Sequence, residues 1–441
     1  MTDSPTYIEK FQQRKRSADN VADEIVENVV LMADRDARVY SYNGRHWERL
    51  TAFQLERLAF KYGGAEAARA SQRSEICKLL ALRVAIDEVT WGRVADHEIS
   101  CHSGVLDLKT ERVRSHTPDD YLEATLPHDF DPSAACPTWD RTIEDWFGSA
   151  DDSRATALQE FCGYIISSHA RYKKAGLLEG PGDTGKSIAV GIAEQLVGRS
   201  SCCSLSVDSM DDPTRLTIIK GKMLNVMSEL SSKALVKDSM FKTLISTEEH
   251  VFLNPKYEPP EMYLPICKHL IATNDLPRII GRTAEIFNRL LIVPFNRVID
   301  TDKQDPKLGR RLVGEMRGIF AWAVRGAQAL LNNRGQFTQP SGRERVLDEW
   351  RRSTNPLLDW LSESLVKASG DEPGRRHVLP LANIAHRARN RLGKTVTTVE
   401  VGKAARELGW EVKDARWSAE RPVCKCIMDA TLLSPVEGNE G

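Results

Sequence analysis

The chain has 441 residues, 41% of them hydrophobic and 28% charged, with a formal net charge of −1. This length suits two to four folded domains, and the composition excludes a disordered or fibrous protein. There is no run of 18 apolar residues, and charged residues occur throughout the first 25 positions, so we expect a cytoplasmic protein without a membrane segment or signal peptide. The nine cysteines are scattered without a second pair at zinc-finger spacing, which predicts free thiols.

The order of the predicted elements divides the chain into four parts. They are an N-terminal extension over residues 1–34, a small mixed α/β domain over 35–140, a domain of alternating strands and helices over 141–340, and a C-terminal domain over 341–441. In the second part, Asn43 and Gly44 lie between strand-like segments and predict a β-hairpin. A helical stretch is predicted over residues 51–92 and a second strand pair around residues 105–108. Three prolines mark residues 127–137 as a linker.

An octapeptide in the third part fits the pattern of a phosphate-binding loop without a mismatch. Its residues are Gly180, Pro181, Gly182, Asp183, Thr184, Gly185, Lys186 and Ser187. The glycines allow backbone angles that turn N–H groups towards phosphate oxygens, Lys186 supplies a positive charge for the β and γ phosphates, and the Ser187 hydroxyl is a magnesium ligand. An apolar run over residues 175–179 predicts the preceding strand, and residues 188–197 predict the following helix. The sequence therefore predicts a site for ATP and Mg²⁺.

Three later residues have the order expected of an ATPase core. Glu229 follows an apolar strand-like segment, where an acid would lie near the magnesium ion and the attacking water. Asn274 ends another such segment and is suited to orienting a water against the γ phosphate. Arg289 precedes a third segment and is a candidate for an arginine supplied across a subunit boundary. Each residue alone is equally compatible with a structural role, and their order after one phosphate-binding loop favours catalysis.

The C-terminal part has a local excess of positive charge. Residues 375–426 contain twelve Lys and Arg against five Asp and Glu. Two helices are predicted near residues 380–392 and 399–409, and short strands near residues 411–412 and 424–428. This is the element order of a winged helix-turn-helix, so we expect a DNA-binding domain, with a solvated basic face as the alternative.

Together these features resemble the C-terminal helicase part of phage and plasmid primase-helicases, within superfamily 3 of the AAA+ ATPases. The likeness covers most of the chain. The segments that carry it are Tyr42-Asn43-Gly44-Arg45-His46-Trp47, Ser103-Gly104-Val105-Leu106-Asp107-Leu108, Cys136-Pro137-Thr138-Trp139, Ala272-Thr273-Asn274-Asp275-Leu276-Pro277 and Gly318-Ile319-Phe320-Ala321-Trp322-Ala323. The implied fold class is α/β, an AAA+ P-loop ATPase core with a small N-terminal α+β region and a C-terminal winged-helix domain.

The resemblance also implies a role for each candidate residue in the ATPase core. Lys186 and Ser187 bind the nucleotide and Mg²⁺, Glu229 is the Walker B acid, Asn274 is sensor 1, and Arg289 is the arginine finger. A serine precedes Glu229 where relatives often have a second acid, so metal coordination and the general-base role both fall to Glu229.

For DNA, the resemblance implies a β-hairpin over residues 241–260 that points into the central pore of a ring. Lys256 would touch the DNA backbone and Lys242 would support that contact. Residues 246–249 form an acidic turn where relatives have a Gly-Gly-Asp-like one, and this departure weakens the expected grip on DNA.

We therefore expect an ATP-dependent DNA helicase that forms a ring, a hexamer by family resemblance, and separates duplex DNA in the replication of a phage, plasmid or integrated element. Its expected partners are single-stranded and forked DNA, further copies of itself, and a separate primase or replication factor. A primase would need a pair of carboxylates to hold metal ions, and the best candidates are Asp129 and Asp131. These residues lie in the predicted linker, where Asp131 before a proline indicates a turn, so we expect a helicase without a primase domain. The alternative is a DNA-loaded ATPase switch or origin-binding scaffold without processive unwinding.

Overall fold

The computed structural model describes most of the chain. The described residues are 17–87, 89, 91–92, 94–227, 235–237, 245, 249–274, 276, 278–280, 287–354, 356–367, 378–393, 395–416 and 422–432. The chain divides into two compact units, Met1–Asp275 with Gly281–Ser341 and Leu276–Ile280 with Gly342–Gly441. Across the described ranges, no helix combines the length and the apolar character that a membrane crossing requires.

The N-terminal module of the first unit begins with three helices around an apolar cluster. They are α1 (Ala18–Asn28), α2 (Ala52–Gly63) and α3 (Ala70–Arg83). Ser17 caps α1, its hydroxyl accepting the Asn20 amide at 3.2 Å. Val21 and Ile25 of α1 are fully buried in the cluster that α2 and α3 share. Residues 18–28 of the predicted extension over residues 1–34 therefore pack into the module through the apolar face of α1.

Two small antiparallel sheets complete this module. Their strands are β1 (Leu31–Ala33), β2 (Val39–Tyr42) and β3 (Trp47–Arg49), then β4 (Glu98–Cys101), β5 (Gly104–Asp107) and β6 (Val113–Arg114). Tyr42 pairs with Trp47, which confirms the predicted hairpin. The strand pair around 105–108 is also confirmed, and α2 and α3 lie within the predicted helical stretch over residues 51–92, which among its described residues is helical only as far as Arg83. Of the predicted linker over residues 127–137, residues 127–136 contain neither helix nor regular strand, and a helix begins at Pro137.

A five-stranded parallel sheet forms the centre of the first unit. The next strands of the chain are β7 (Ala175–Glu179), β8 (Cys202–Cys203), β9 (Leu224–Met227), β10 (Leu235–Lys237), β11 (Val251–Leu253), β12 (Glu261–Tyr263), β13 (Lys268–Thr273), β14 (Arg278–Ile280) and β15 (Leu290–Pro294). The central sheet has the order β15-β7-β13-β9-β8, and every neighbouring pair is parallel. All five carboxyl ends therefore lie at one edge, and the predicted α/β architecture with a parallel sheet is confirmed.

Helices of the first unit pack around this sheet over a core rich in tryptophan. They are α4 (Pro137–Phe147), α5 (Ser153–Ile166), α6 (Lys186–Val197), α7 (Leu308–Gly314) and α8 (Met316–Asn332). Trp139 contacts Trp146 and Trp322 edge to face, with ring centroids 5.6 and 5.1 Å apart. The Glu315 carboxylate accepts the Thr138 amide at 3.0 Å at the N-terminus of α4. These interactions fix α4 beside the carboxyl edge of the sheet.

The strands β11 and β12 form an antiparallel hairpin, with Val251 paired to Tyr263. This hairpin lies further along the chain than the predicted one over residues 241–260. The connection over residues 254–260 contains three prolines, which lack the N–H group that a ladder needs. The strands therefore flank the proline segment rather than include it.

The second unit combines helices with small antiparallel sheets. Its described elements are α9 (Arg343–Thr354), α10 (Pro356–Ser364), β16 (Leu365–Lys367), β17 (Val378–Pro380), α11 (Leu381–Leu392), α12 (Thr398–Glu407), β18 (Val412–Ala415), β19 (Cys424–Met428) and β20 (Ala430–Leu432). One sheet has the order β17-β19-β18, and β16 pairs with β20. Leu361, Ile384, Val401 and Ile427 are fully buried in its core. The two predicted helices and the two predicted strands are all present.

Candidate functional site

The predicted phosphate-binding loop, residues 180–187, connects β7 to α6 at the carboxyl edge of the parallel sheet. Three of its residues have positive φ angles, Gly180 at 150°, Asp183 at 58° and Gly185 at 93°. Gly185 is the N-cap of α6, so the unpaired amides of the first helical turn face the loop. The strand and the helix that the sequence predicts around the loop are confirmed.

Close packing explains why Gly180 and Gly185 have no side chain. A Cβ at Gly180 would lie 2.1 Å from the carbonyl oxygen of Phe295, and one at Gly185 would lie 2.1 Å from the indole nitrogen of Trp146. The amide of Phe295 also donates to the Glu179 carbonyl at 2.6 Å. Both ends of the loop are therefore held against the core of the first unit, which fixes the backbone conformation.

The Lys186 side chain is buried within the loop, with 6% of its surface exposed. Its ammonium donates to the carbonyl oxygens of Gly180 at 2.7 Å and Pro181 at 2.5 Å, and to the Thr184 hydroxyl at 3.2 Å. Burial lowers the pKa of Lys186, and the nearby Glu179 and Asp183 carboxylates oppose that effect. The loop therefore concentrates positive charge at one point beside the N-terminus of α6.

A cavity of about 1150 Å³ opens in front of this loop. Ser187, which is exposed, and Asn274 line it together with Lys186. Asn274 directly follows β13, and its neighbour Thr273 pairs with Glu179 at the end of β7. Three of the four predicted nucleotide-site side chains that the structure describes, those of Lys186, Ser187 and Asn274, therefore meet around one cavity.

The far wall of the cavity consists of residues that the sequence analysis did not identify. One face of α4 contributes Thr138, Arg141, Thr142 and Asp145, and the segment after β15 contributes Arg297, Asp300, Thr301 and Arg311 among others. The four α4 residues follow the spacing of three and four that places side chains on one helix face. The Ile299 amide donates to the Asp183 carbonyl at 2.9 Å and joins the segment after β15 to the loop. Only tertiary packing brings these segments to the loop, so no local pattern indicates them.

Glu229 lies outside the described residues. The preceding strand β9 is described and buried, and Met227 at its end pairs with Ile271 of β13. This strand therefore ends at the same edge of the sheet as β13 and the phosphate-binding loop, and the assignment of Glu229 stays a prediction.

Arg289 lies at the opposite edge of the sheet from the cavity. Its carbonyl accepts the Ala175 amide at 2.8 Å, at the amino end of β7. Phe295 follows Arg289 by six residues, which corresponds to about 20 Å of extended chain. This distance exceeds the reach of an arginine side chain, so Arg289 does not contribute to the cavity of its own chain.

Of the two predicted DNA-binding residues, the structure describes Lys256, and Lys242 lies outside the described residues. Lys256 is exposed in the connection between β11 and β12. The next residue, Tyr257, is fully exposed and has a φ of 66°. An exposed aromatic residue with positive φ is uncommon and adds a second feature to this turn. Of the acidic turn over residues 246–249, only Glu249 is described.

The carboxylates of the predicted linker have local partners. Asp131 accepts the Ser133 hydroxyl at 2.6 Å and lies 3.2 Å from Arg317, and Asp129 lies 3.0 Å from His102. Within the described residues, no group of three or more His, Cys, Asp and Glu is arranged to hold a metal ion. These contacts fit the interpretation of Asp129 and Asp131 as residues of a turn rather than of a metal site.

Comparisons with known sequences give two family matches. Residues 18–148 match the D5 N-terminal-like family, and residues 178–289, which contain the phosphate-binding loop and the helix after it, match a family of unknown function, DUF5906. An uncharacterized mitochondrial protein, ymf21 of Marchantia polymorpha, is 26% identical over 130 residues, which is 27% of this chain and 72% of that protein.

Among solved structures, the fold is similar to that of the NrS-1 C-terminal region. Two structures of its apo A form align with TM-scores of 0.57 and 0.55 at 11% identity, over 94% and 93% of this chain and 100% and 99% of theirs. A third apo structure aligns with a TM-score of 0.52 at 12% identity, over 94% of this chain and 99% of that one. At these identities the likeness concerns the fold. The D5 N-terminal-like match over residues 18–148 and this fold agree with the resemblance to phage and plasmid primase-helicases.

Proposed function

We propose that the protein is an ATP-dependent DNA helicase that works as a ring, with Mg²⁺ as its cofactor. The observation that carries this proposal is the phosphate-binding loop, residues 180–187, at the mouth of a cavity of about 1150 Å³. Ligand pockets commonly measure about 300–1,000 Å³, so this one has room for a nucleoside triphosphate. The positive φ angles and the closely packed glycines support a preformed phosphate cradle.

The chain's own residues would hold the triphosphate and its metal ion. The amides at the N-terminus of α6 would donate to phosphate oxygens, and the Lys186 ammonium would exchange its loop carbonyls for phosphate. Ser187 and Glu229 are the proposed magnesium ligands. Bound Mg²⁺ would neutralise charge on the phosphates. Asn274, at the end of the neighbouring strand, would orient the attacking water.

The position of Arg289 supports a ring in which each site is completed by the next subunit. Arg289 lies about 20 Å from the loop along β15, so it would reach only a nucleotide held by a neighbouring copy. An arginine that stabilises charge in the transition state of phosphoryl transfer would then couple hydrolysis to assembly. We propose a hexamer as the assembled form.

The hairpin of β11 and β12 is the proposed contact with single-stranded DNA. Lys256 would bind a phosphate, and Lys242 would support it. The exposed ring of Tyr257 offers a face on which a base would stack. Movement of this turn with each cycle of hydrolysis would draw the strand through the ring.

The deciding experiment measures ATP hydrolysis across protein concentration, with and without single-stranded DNA. Wild type should be stimulated by DNA cooperatively with concentration, and Lys186→Ala should abolish hydrolysis. Forked-duplex unwinding should then be lost in Lys256→Ala while ring assembly persists. If the wild-type protein hydrolyses ATP but never unwinds a fork, the proposed helicase activity is disproved.

The second candidate is a DNA-loaded ATPase switch or origin-binding scaffold. The observation in its favour is that the hairpin is ion-paired to the N-terminal module of its own chain, Arg38 with Glu261 at 2.8 Å and Arg49 with Glu258 at 3.1 Å. A hairpin fixed in this way would bind DNA without moving far during a cycle of ATP hydrolysis. Hydrolysis that is indifferent to DNA, with DNA retained, would favour this candidate.

A further inference from the structure

A groove of about 340 Å³ lies on the second unit between the starts of α11 and α12 and the strand β19. Three cationic side chains line it, those of Lys403 and Arg406 on α12 and Lys425 on β19. All three residues are exposed. No carboxylate is among the described residues that line the groove, so its electrostatic potential is positive.

The cations of the groove differ in their surroundings from another lysine of the same unit. Lys413 on β18 lies 2.6 Å from the Glu411 carboxylate. For Lys403, Arg406 and Lys425, no ion pair occurs with any residue in the described part of the chain. Their charges therefore remain available to an anionic partner.

The geometry of α12 directs one face outwards. Val399, Lys403 and Arg406 follow the spacing of four and three that places side chains on one helix face, whereas Val401 and Ala405 are buried in the core. Val399, at the N-terminal end of this face, is 65% exposed. The face therefore combines two cations with one apolar contact point.

The start of α12 is rigid enough to present this face. Thr397 and Glu400 form a capping box, in which the Thr397 hydroxyl accepts the Glu400 amide at 3.2 Å and the Glu400 carboxylate accepts the Thr397 amide at 2.8 Å. Glu400 is therefore engaged by the helix terminus and does not neutralise the groove.

We infer that this groove binds duplex DNA, with α12 lying along the major groove and β19 against the sugar-phosphate backbone. An α-helix with its side chains is about 10–12 Å across, which matches the major groove width of about 12 Å. Lys403, Arg406 and Lys425 bind phosphates, and Val399 contacts base edges such as the thymine methyl group. This inference deepens the proposed function, because it supplies a duplex-holding site separate from the nucleotide cavity.

The contacts predict how binding responds to salt. Each phosphate neutralised by a cation releases counterions and adds about 0.9 to the slope of log affinity against log salt concentration. Three phosphate contacts therefore account for a slope change of about 2 to 3. A single apolar contact gives only modest preference among sequences.

The test uses the full chain and fluorescence anisotropy with a 30-bp duplex, at several salt concentrations. The variant is Lys403→Ala with Arg406→Ala and Lys425→Ala. The matched control is Arg387→Ala with Arg391→Ala and Lys413→Ala, which removes the same charge from exposed positions of the same unit. The groove variant should lose at least about tenfold in duplex affinity and about 2 to 3 in salt slope, and the control should stay within about threefold.

Three outcomes would overturn the inference. They are equal losses in both variants, no loss in the groove variant, and a loss for single-stranded DNA alone. Hydrolysis of ATP without DNA should be unchanged in the groove variant. Lys186→Ala should still bind duplex, so a failure of the proposed ATPase is distinguishable from a failure of the groove.

A native cysteine gives an independent readout of the same groove. Cys424 lines it and is half-buried, whereas Cys426, 3.6 Å away between sulfur atoms, is fully buried. Duplex DNA should protect Cys424 from alkylation by iodoacetamide, measured by mass spectrometry. The half-buried Cys77 on α3 is the internal control and should react equally with and without DNA. Unchanged alkylation of Cys424 at saturating duplex would contradict the inference.

Discussion

The guanidinium of Arg38, which directly precedes β2, lies 2.8 Å from the carboxylate of Glu261 on β12. The Arg38 side chain is only 8% exposed, and Glu261 also accepts the Lys220 ammonium at 2.7 Å. A second pair, Arg49 with Glu258 at 3.1 Å, joins the same two segments. The N-terminal module therefore holds the hairpin at the β12 side, close to its exposed turn.

Removal of Arg38 should weaken both the fold and the hairpin. Arg38→Met leaves the half-buried Glu261 carboxylate with Lys220 alone, so the free energy of unfolding should fall by about 2–4 kcal/mol, measured by urea denaturation. Arg215→Met is the control, because its ion pair with Asp212 is exposed and should contribute less than about 0.5 kcal/mol. Equal effects of the two substitutions would show that the buried pair does not hold the hairpin.

Gly185 should be far less tolerant of a side chain than Gly182. Gly185→Ala combines a φ of 93° with a Cβ 2.1 Å from the Trp146 indole, whereas a Cβ at Gly182 meets no atom within 4 Å. We expect Gly185→Ala to lower the free energy of unfolding by about 2–4 kcal/mol and Gly182→Ala to change it by less than about 1 kcal/mol. Thermal denaturation without nucleotide measures both, and similar melting temperatures would refute this account of the loop.

Lys268 should make stability depend on pH in the alkaline range. Its side chain is 1% exposed, its ammonium donates to the Ser167 carbonyl and lies 5.6 Å from the centre of the Tyr164 ring, and burial lowers its pKa to about 7. Between pH 7 and 10.5 the unfolded chain binds more protons at this residue than the folded chain, so stability should rise with pH across that window.

The substitution Lys268→Met isolates this effect. At pH 6 it should raise the free energy of unfolding by about 1–3 kcal/mol, because a buried charge is removed at the loss of one hydrogen bond. The gain should shrink as pH approaches 10. Urea denaturation at pH 6, 8 and 9.5 measures it, with the exposed Lys109→Met as the control. A gain that stays constant with pH would contradict a buried, titrating Lys268.

Arg289 should act on the site of a neighbouring subunit. Arg289→Ala should bind nucleotide as wild type does, because it lies at the opposite edge of the sheet, but should not hydrolyse it. Lys186→Ala should be inactive for the complementary reason. Mixing the two inactive variants should restore part of the ATPase activity, because some interfaces then pair an intact loop with an intact arginine. No recovery in rings that demonstrably mix would exclude the arginine-finger role.

Local patterns predicted the elements whose causes are local. The loop over residues 180–187, its strand and its helix follow from glycine spacing and apolar runs, and the first hairpin follows from Asn43 and Gly44. The shifted second hairpin was also encoded locally, because Pro255 and its neighbours exclude this segment from a ladder. The start of the α1 helix also has a local cause, because Ser17 supplies its cap.

Other features of the site depend on packing between distant segments. Arg141 and Arg311 reach the cavity only because α4 and α7 are packed beside the loop. The close contact between Trp146 and Gly185 likewise joins residues 39 positions apart, so no sequence period indicates it. The same is true of the ion pair between Arg38 and Glu261, which are 223 positions apart.

The strand β15 has a consequence for timing within an assembled ring. Phe295, directly after its carboxyl end, packs against the first residue of the phosphate-binding loop, and Arg289 directly precedes its amino end. Backbone hydrogen bonds to β7 along its length make it a stiff rod rather than a flexible connection. In the proposed ring, a displacement of the phosphate-binding loop at one active centre would therefore reach the adjacent centre through a single strand. The subunits would then hydrolyse ATP in succession rather than independently.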